Sequence, residues 1–217
     1  MLPLATKVAL MRDGVPTDFA SVTPGAGVII AIGLAMTIVG VGAGLLPLAA
    51  PEFGGAWIGW SLILAGTFEI FAGLIKGFDA ARYARLTAGA LTFATGLIFL
   101  VSPLLELFPI LFLIVAWLVG RTAVFLAASY KSAAPVRMPM ILTALADISL
   151  AVILIMGLPA AGFIASVFGP TQELVRSFGW IFAASFFVTG ISLVLDPILE
   201  VAIASGRRPA LYYKPGR

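Results

Sequence analysis

The sequence has no cysteine and no histidine, and only 11% of its 217 residues carry a charge. The two missing residue types exclude disulfides, thiolate and imidazole metal sites, bis-histidine haem ligation, and Ser/His/Asp or Cys/His catalysis. Soluble domains contain about 25% charged and about 45–50% apolar residues. This chain contains 11% charged and 61% hydrophobic residues. We therefore predict an integral membrane protein. The net charge of +3 is too small and too scattered to indicate nucleic-acid binding.

Long apolar stretches, by contrast, occur six times along the chain. A helix needs about 20 apolar residues to cross a hydrocarbon core of about 30 Å, and the alternating pattern of a membrane β-strand is missing. The sequence therefore predicts an all-α integral membrane protein with six transmembrane helices. The predicted spans cover residues 27–48, 54–75, 86–103, 107–130, 138–158 and 178–195.

Basic residues outside the predicted spans are divided very unequally between the two sides of the membrane. Eleven fall on the side of both termini, and only Arg176 falls on the other. Because basic loops stay in the cytoplasm, both termini are predicted to be cytoplasmic. The chain then consists of a cytoplasmic segment 1–24, a six-helix transmembrane domain 25–203 and a basic cytoplasmic tail 204–217. The domain comprises three hairpins, at about 25–76, 85–130 and 138–203. The eleven residues are Lys7, Arg12, Lys76, Arg82, Arg85, Lys131, Arg137, Arg207, Arg208, Lys214 and Arg217.

Small residues recur at a spacing that indicates three repeated hairpins. The first helix has two glycines and a proline at intervals of seven, and later helices repeat this pattern 56 positions (33 to 89) and then 55 positions (89 to 144) further on. Alanine replaces glycine in the last repeat. Small residues on one helix face let neighbouring backbones approach, so we assign them to packing within the bundle, with a dimer interface as the alternative. The glycines assigned to helix packing are Gly33, Gly40, Gly66, Gly89, Gly96, Gly120 and Gly190.

The same stretches resemble a known family. The sequence GLAMTIVG at 33–40, ending near Pro47, is followed by WSLILAG at 60–66, and the pattern recurs at 89–103 and 113–120. Over residues 25–195 this arrangement resembles the HdeD-type acid-resistance membrane proteins. The resemblance implies a small, multi-pass protein of the bacterial inner (plasma) membrane with six helices. It also implies an association with acid or general stress tolerance, and it carries over no catalytic residue.

Three ionisable residues lie inside the predicted spans and form a predicted intramembrane polar cluster. Arg121 is ten residues before Lys131, and Asp147 is ten residues after Arg137. Equal distances from one turn put the two charges at the same depth of about 15 Å. A charge near the bilayer centre costs about 2.5 to 3.5 kcal/mol, so we predict an ion pair between them. Three roles are open for Glu69. It is a second partner of Arg121, it reaches the membrane interface, or it is a buried carboxylate that accepts a proton.

Other features lie near the ends of the spans. Asp196 is expected to be a helix-terminus residue at the cytoplasmic surface. The outer segment 159–177 forms either a short interfacial helix or an extension of the fifth helix up to Pro170. The basic tail either docks on anionic lipid or belongs to a protein contact. Aromatic residues typical of membrane-interface anchors are Trp57, Trp60 and Trp180.

Three function classes remain open from the sequence. The first is a non-enzymatic stress-tolerance protein of the HdeD type, and the second is a small-solute or proton pathway that uses the intramembrane charges. The third is an accessory subunit of a larger membrane complex. No catalytic set, cofactor site or metal site is predicted, because no nucleophile, base and ligand residues occur at a useful spacing. The expected partners are the lipid bilayer, a second copy of the chain or a larger membrane complex, and not nucleic acid.

Overall fold

The computed structural model describes residues 25–49, 54–75, 80–101, 107–132, 134–168 and 172–204. These residues form six α-helices and no strand, and each helix is long and apolar enough to cross a membrane. The predicted fold class of six spanning helices is therefore confirmed for this part of the chain. The helices are α1 (Ala26–Ala49), α2 (Gly54–Ile75), α3 (Ala80–Val101), α4 (Leu107–Lys131), α5 (Ala134–Phe168) and α6 (Gln172–Ala204).

Three helices extend several residues beyond their predicted spans, and α1 and α4 differ from theirs by no more than one residue at either end. α3 begins at Ala80 and thereby includes Arg85, which was assigned to a loop. α5 continues through Pro159 to Phe168, and α6 begins at Gln172. Most of the segment 159–177 is therefore helical, and its first part extends the fifth helix instead of forming a separate interfacial helix. A proline removes only one backbone donor, which a long apolar helix tolerates.

Some predictions fall outside the described residues. These are the N-terminal segment 1–24, the tail from residue 205 onward and the connections 50–53 and 102–106. The three tryptophans that were assigned as interface anchors lie within the helices, and their side chains are exposed on the surface of the bundle. They are Trp57, Trp60 and Trp180.

The six helices form a closed antiparallel ring. Each helix packs against its neighbours in the chain, and α1 also packs against α6. α2 and α6 touch as well, and buried side chains fill the interior. We call the end at which α2, α4 and α6 finish the proximal end, and the end at which α1, α3 and α5 finish the distal end. The proximal residues are Ile75, Lys131 and Ala204, and the distal residues are Ala49, Val101 and Phe168.

Glycines bring two helix pairs into direct backbone contact. Between α2 and α3, a Cβ added to Gly66 would lie 2.5 Å from the backbone nitrogen of Phe93 and 2.7 Å from the carbonyl oxygen of Gly89. Between α1 and α6, a Cβ added to Gly33 would lie 2.7 Å from the carbonyl oxygen of Gly190. These separations leave no room for a side chain, so the close approach of the helices depends on glycine.

The remaining packing glycines also lie at interfaces. A Cβ on Gly96 would lie 2.8 Å from the backbone nitrogen of Ile63 in α2, and one on Gly40 would lie 3.0 Å from the carbonyl oxygen of Ala183 in α6. Gly120 is different, because its added Cβ would meet only the side chain of Leu91 in α3, at 2.8 Å. Gly120 therefore does not hold two backbones together.

Aromatic side chains fill the interior on the distal side of the bundle. Trp117 and Phe182 have ring centroids 5.3 Å apart, and Phe186 lies 6.0 Å from Trp117. Phe99 meets Phe182 edge-on at 6.0 Å. We call these four residues the aromatic cluster. Its three fully buried members, Trp117, Phe182 and Phe186, close the distal half of the interior above a layer of charged side chains.

Candidate functional site: a buried cluster of charges and hydroxyls

Arg121 lies in the middle of the bundle with a fully buried side chain. Its Nη1 donates to Oε2 of Glu69 at 2.6 Å and to Oγ1 of Thr92 at 2.8 Å. Its Nε donates to Oδ2 of Asp147 at 3.0 Å, and its Nη2 donates to Oγ1 of Thr189 at 2.9 Å. Because a guanidinium group offers five donors in a fixed plane, this one side chain joins α2, α3, α5 and α6 to α4.

The three intramembrane charges singled out in the sequence meet at this point. Arg121 forms ion pairs with both Glu69 and Asp147, and all three side chains are fully buried. Glu69 thus pairs with the guanidinium group and does not reach the surface. We call Glu69, Thr92, Arg121, Asp147, Ser185 and Thr189 the central cluster.

The two carboxylates of the central cluster differ in how completely they are bonded. Asp147 accepts from Arg121 at Oδ2 and from the Ser185 hydroxyl at Oδ1, at 2.6 Å. Glu69 uses Oε2 for Arg121, whereas its buried Oε1 has no hydrogen-bond partner. Since a buried polar atom without a partner is costly and rare, Oε1 is the open position of the cluster.

The net charge of the central cluster indicates what the open position at Glu69 Oε1 can bind. With all groups ionised, Glu69 and Asp147 contribute two negative charges and Arg121 contributes one positive charge, so the central cluster carries a net charge of −1. α1 adds no charge, because residues 26–49 include no ionisable side chain. A buried charge that no counter-charge offsets costs several kcal/mol, and one bound proton makes the cluster neutral.

Aromatic rings hold the Arg121 side chain from two directions along its own helix. Trp117 and Phe125 lie four residues before and after Arg121, so they share its face of α4. The guanidinium carbon lies 5.3 Å from the Trp117 ring centroid and 5.5 Å from that of Phe125. The indole Nε1 of Trp117 also donates to Thr92 Oγ1 at 3.0 Å. These contacts fix the plane of the guanidinium group and exclude water from it.

The hydroxyl members of the cluster were missed in the sequence. Threonine and serine are common in membrane helices and attract no notice singly. In α6, however, Ser185, Thr189, Ser192 and Asp196 follow one another at intervals of four, three and four. That spacing places all four on one helix face, and all four are fully buried. A polar stripe within an otherwise apolar helix was therefore the available signal.

A second buried ion pair lies closer to the proximal end. Arg85 Nη2 contacts Asp196 Oδ2 at 3.2 Å, and both side chains are fully buried. The assignment of Asp196 to the cytoplasmic surface is therefore wrong, because α6 continues through Pro197 to Ala204 and faces Arg85 at this level. Nε and Nη1 of Arg85 are buried without a hydrogen-bond partner. We call these two residues the proximal pair.

Two sets of side chains lie between the proximal pair and the central cluster. The Phe125 ring lies between the two guanidinium groups, 5.3 Å from that of Arg85 and 5.5 Å from that of Arg121. Beside it, the hydroxyls of Thr143 and Ser192 lie 2.7 Å apart, and each lies 3.1 Å from the carbonyl oxygen of Pro139. The two hydroxyl groups have two protons for these three oxygen–oxygen contacts. Rotation of the hydroxyls of Thr143 and Ser192 therefore exchanges which oxygen donates and which accepts.

No family model, curated protein or solved structure matches the chain. Its contacts and its sequence therefore carry the functional assignment.

Proposed function

We propose that the protein is a non-enzymatic, multi-pass inner-membrane protein that binds a proton at its central cluster. Its role is tolerance of acid or general stress, which the resemblance to HdeD-type proteins implies. The observation that carries the proposal is the fully buried group of two carboxylates and one guanidinium, with Glu69 Oε1 unbonded. A proton on that oxygen removes the excess charge. It leaves the hydrogen bond from Arg121 to Oε2 of Glu69 and the ion pair of Arg121 with Asp147 in place.

The chain holds few other groups for such a response. It has no histidine, so the usual titrating residue near neutral pH is absent. Any response to acidity must therefore use carboxylates. Among the described side chains that are fully buried, the carboxylates are Glu69, Asp147 and Asp196, and only Glu69 has an unbonded oxygen within a group of net negative charge.

Difference infrared spectroscopy tests the proton directly. Acidifying the purified protein in detergent is expected to produce the carbonyl band of a buried carboxylic acid. The band is expected to be absent in Glu69→Gln and to persist in Thr95→Val, which leaves the charges of the central cluster unchanged. If no band forms, or if it survives in Glu69→Gln, the central cluster is not the proton-binding group.

Survival of cells tests the role itself. We expect deletion of the gene in its source organism to reduce survival after an acid challenge, and the wild-type chain to restore it. Glu69→Gln should fail to restore survival although it reaches the membrane at the wild-type level. The matched control is Thr95→Val, which also changes a buried polar side chain of the bundle but lies outside the central cluster. Equal rescue by all three chains would contradict the proposal.

The orientation with both termini in the cytoplasm forms part of the proposal. Because Arg85 is buried within α3, it no longer counts as a loop charge, and the asymmetry becomes ten basic residues against one (eleven minus Arg85, against Arg176). That difference still favours a cytoplasmic proximal end. The pairs Gly66 with Gly89 and Gly190 with Gly33 support the repeated hairpins, because each joins an even helix to an odd helix by the same kind of backbone contact.

A further inference from the structure

We propose that the proton of the central cluster exchanges with the proximal side only, along a buried polar route that ends at Asp196 and Arg85. The inference rests on the proposed function, since it takes Glu69 as the proton-binding group. It adds the side from which the proton enters, the residues along its path and the side that is closed to it. None of these follows from the central cluster alone.

The route consists of polar side chains on facing helices. On α6, Thr189 touches Arg121, Ser192 lies one turn further along, and Asp196 lies one turn beyond that. On α5, Thr143 lies one turn before Asp147 and contacts Ser192. Side chains three or four residues apart on a helix face lie about 5–6 Å apart at Cβ, which is a distance that one water molecule bridges. The polar groups therefore continue from the central cluster to the proximal pair.

The proximal pair offers two hydrogen-bond donors to water at the start of this route. Arg85 is fully buried, but Nε and Nη1 have no hydrogen-bond partner in the protein. Buried donors of this kind are normally satisfied by ordered water. Arg85 lies five residues from the first residue of α3, about 7.5 Å along the helix axis, so such water is close to the proximal surface.

The opposite side of the central cluster is closed. Trp117, Phe182 and Phe186 are fully buried there and lie in mutual contact. Their only polar atom, the indole nitrogen of Trp117, is already bonded to Thr92. Aromatic rings in contact leave no chain of donors and acceptors between them. Thr95, one turn beyond Thr92 on this side, donates its hydroxyl to the carbonyl oxygen of Leu91 in its own helix.

The step is a single proton transfer. A hydronium ion from the proximal side gives up its proton, an O–H bond forms at Glu69 Oε1, and water remains. The net charge of the central cluster changes from −1 to 0. The charged and titratable groups that face Glu69 are Arg121 from α4 and Asp147 from α5, while α3 and α6 present the hydroxyls of Thr92 and Thr189.

The experiment uses Trp117 as an internal reporter, because it contacts both Thr92 and Arg121. Replacing the three exposed tryptophans by phenylalanine leaves Trp117 as the only one of four. The full-length protein is reconstituted at one copy per liposome. A single cysteine at Ser132, at the proximal end, then lets a membrane-impermeant thiol resin separate proximal-out from distal-out vesicles, since the parent chain has no cysteine.

A rapid drop in external pH should change Trp117 emission quickly in proximal-out vesicles and only at the leak rate in distal-out vesicles. Thr143→Val with Ser192→Ala should slow the fast phase by about tenfold without altering its amplitude, because the route loses two hydrogen-bonding groups. Thr95→Val, on the distal side of Thr92, should leave the rate unchanged.

Two results would overturn the inference while leaving the proposed function intact. One is an equally fast response in both vesicle populations, and the other is a wild-type rate in Thr143→Val with Ser192→Ala. A different result would remove the proposed function itself, and the inference with it. The measurement is made in detergent, where both sides are accessible. Either the absence of a Trp117 response in the wild type or an unchanged response in Glu69→Gln would be such a result.

Discussion

At the scale of single residues, the two carboxylates of the central cluster are not equivalent. Glu69→Gln leaves Arg121 paired with Asp147 at net charge zero, so it should change the free energy of unfolding by less than about 1 kcal/mol. Arg121→Leu leaves two buried carboxylates without a counter-charge and should cost about 3–5 kcal/mol. Thermal unfolding in detergent at neutral pH measures both. Equal losses would show that the charge balance does not govern stability.

Restoring the balance should restore stability. Arg121→Leu combined with Asp147→Leu removes one ion pair but leaves Glu69 buried alone, so only part of the loss should be recovered. Adding Glu69→Gln makes the site neutral, and most of the remaining loss should then disappear. The triple variant is compared with the double variant in the same unfolding experiment. A triple variant no more stable than the double variant would contradict this expectation.

Sequence reasoning located one ionic group and missed the other. Arg121 and Asp147 could be paired from the sequence because they are equally far from the turn between α4 and α5. Arg85 and Asp196 could not, because they lie near the ends of apolar stretches, where a charge looks like the start of a loop. Their burial depends on pairing between α3 and α6, which are remote in sequence, and no local pattern contains that information.

At the scale of helices, the interface between α2 and α3 requires glycine. A Cβ on Gly89 would lie 2.8 Å from both the carbonyl oxygen of Gly66 and the backbone nitrogen of Ile70. Gly89→Ala should therefore cost about 1–3 kcal/mol, because backbone atoms must move. Gly157→Ala is the control, since nothing lies within 4 Å of its added Cβ, and it should be neutral or stabilising by up to about 1 kcal/mol. Identical melting temperatures for the two variants would rule out this interface.

Helix existence was predictable from the sequence, and helix ends were not. A long apolar stretch identifies a spanning helix, because in lipid the backbone N–H and C=O groups must form their hydrogen bonds within the protein, and a helix does this within one segment. The end of a helix depends on the residues beyond the apolar stretch, and here Pro159 and Pro197 both lie inside helices. Each proline suggests a stop by its local chemistry. Neither stops its helix, so the outer connection is shorter and Asp196 is deeper than the local signals indicated.

At the scale of the whole molecule, topology has a direct test. Single cysteines at Ser132, after α4, and at Ala50, after α1, should react with a membrane-impermeant reagent from opposite sides. The reason is that an odd number of helices, α2 to α4, separates them. Labelling of intact spheroplasts and of inverted vesicles measures this. Modification of both from the same side would contradict the antiparallel ring.

The closed ring also determines what the chain presents to the membrane while it is being synthesised. The fully buried charges enter in the order Glu69, Arg85, Arg121, Asp147 and Asp196, one from each helix after the first. Counted helix by helix from α1, the sum is 0, −1, 0, +1, 0 and −1. Each charge inserted after Glu69 thus meets an opposite or neutral total. The summed charge of these five side chains therefore never exceeds one unit of either sign as the helices are added, although Glu69 and Arg85 meet their final partners only when α4 and α6 are in place.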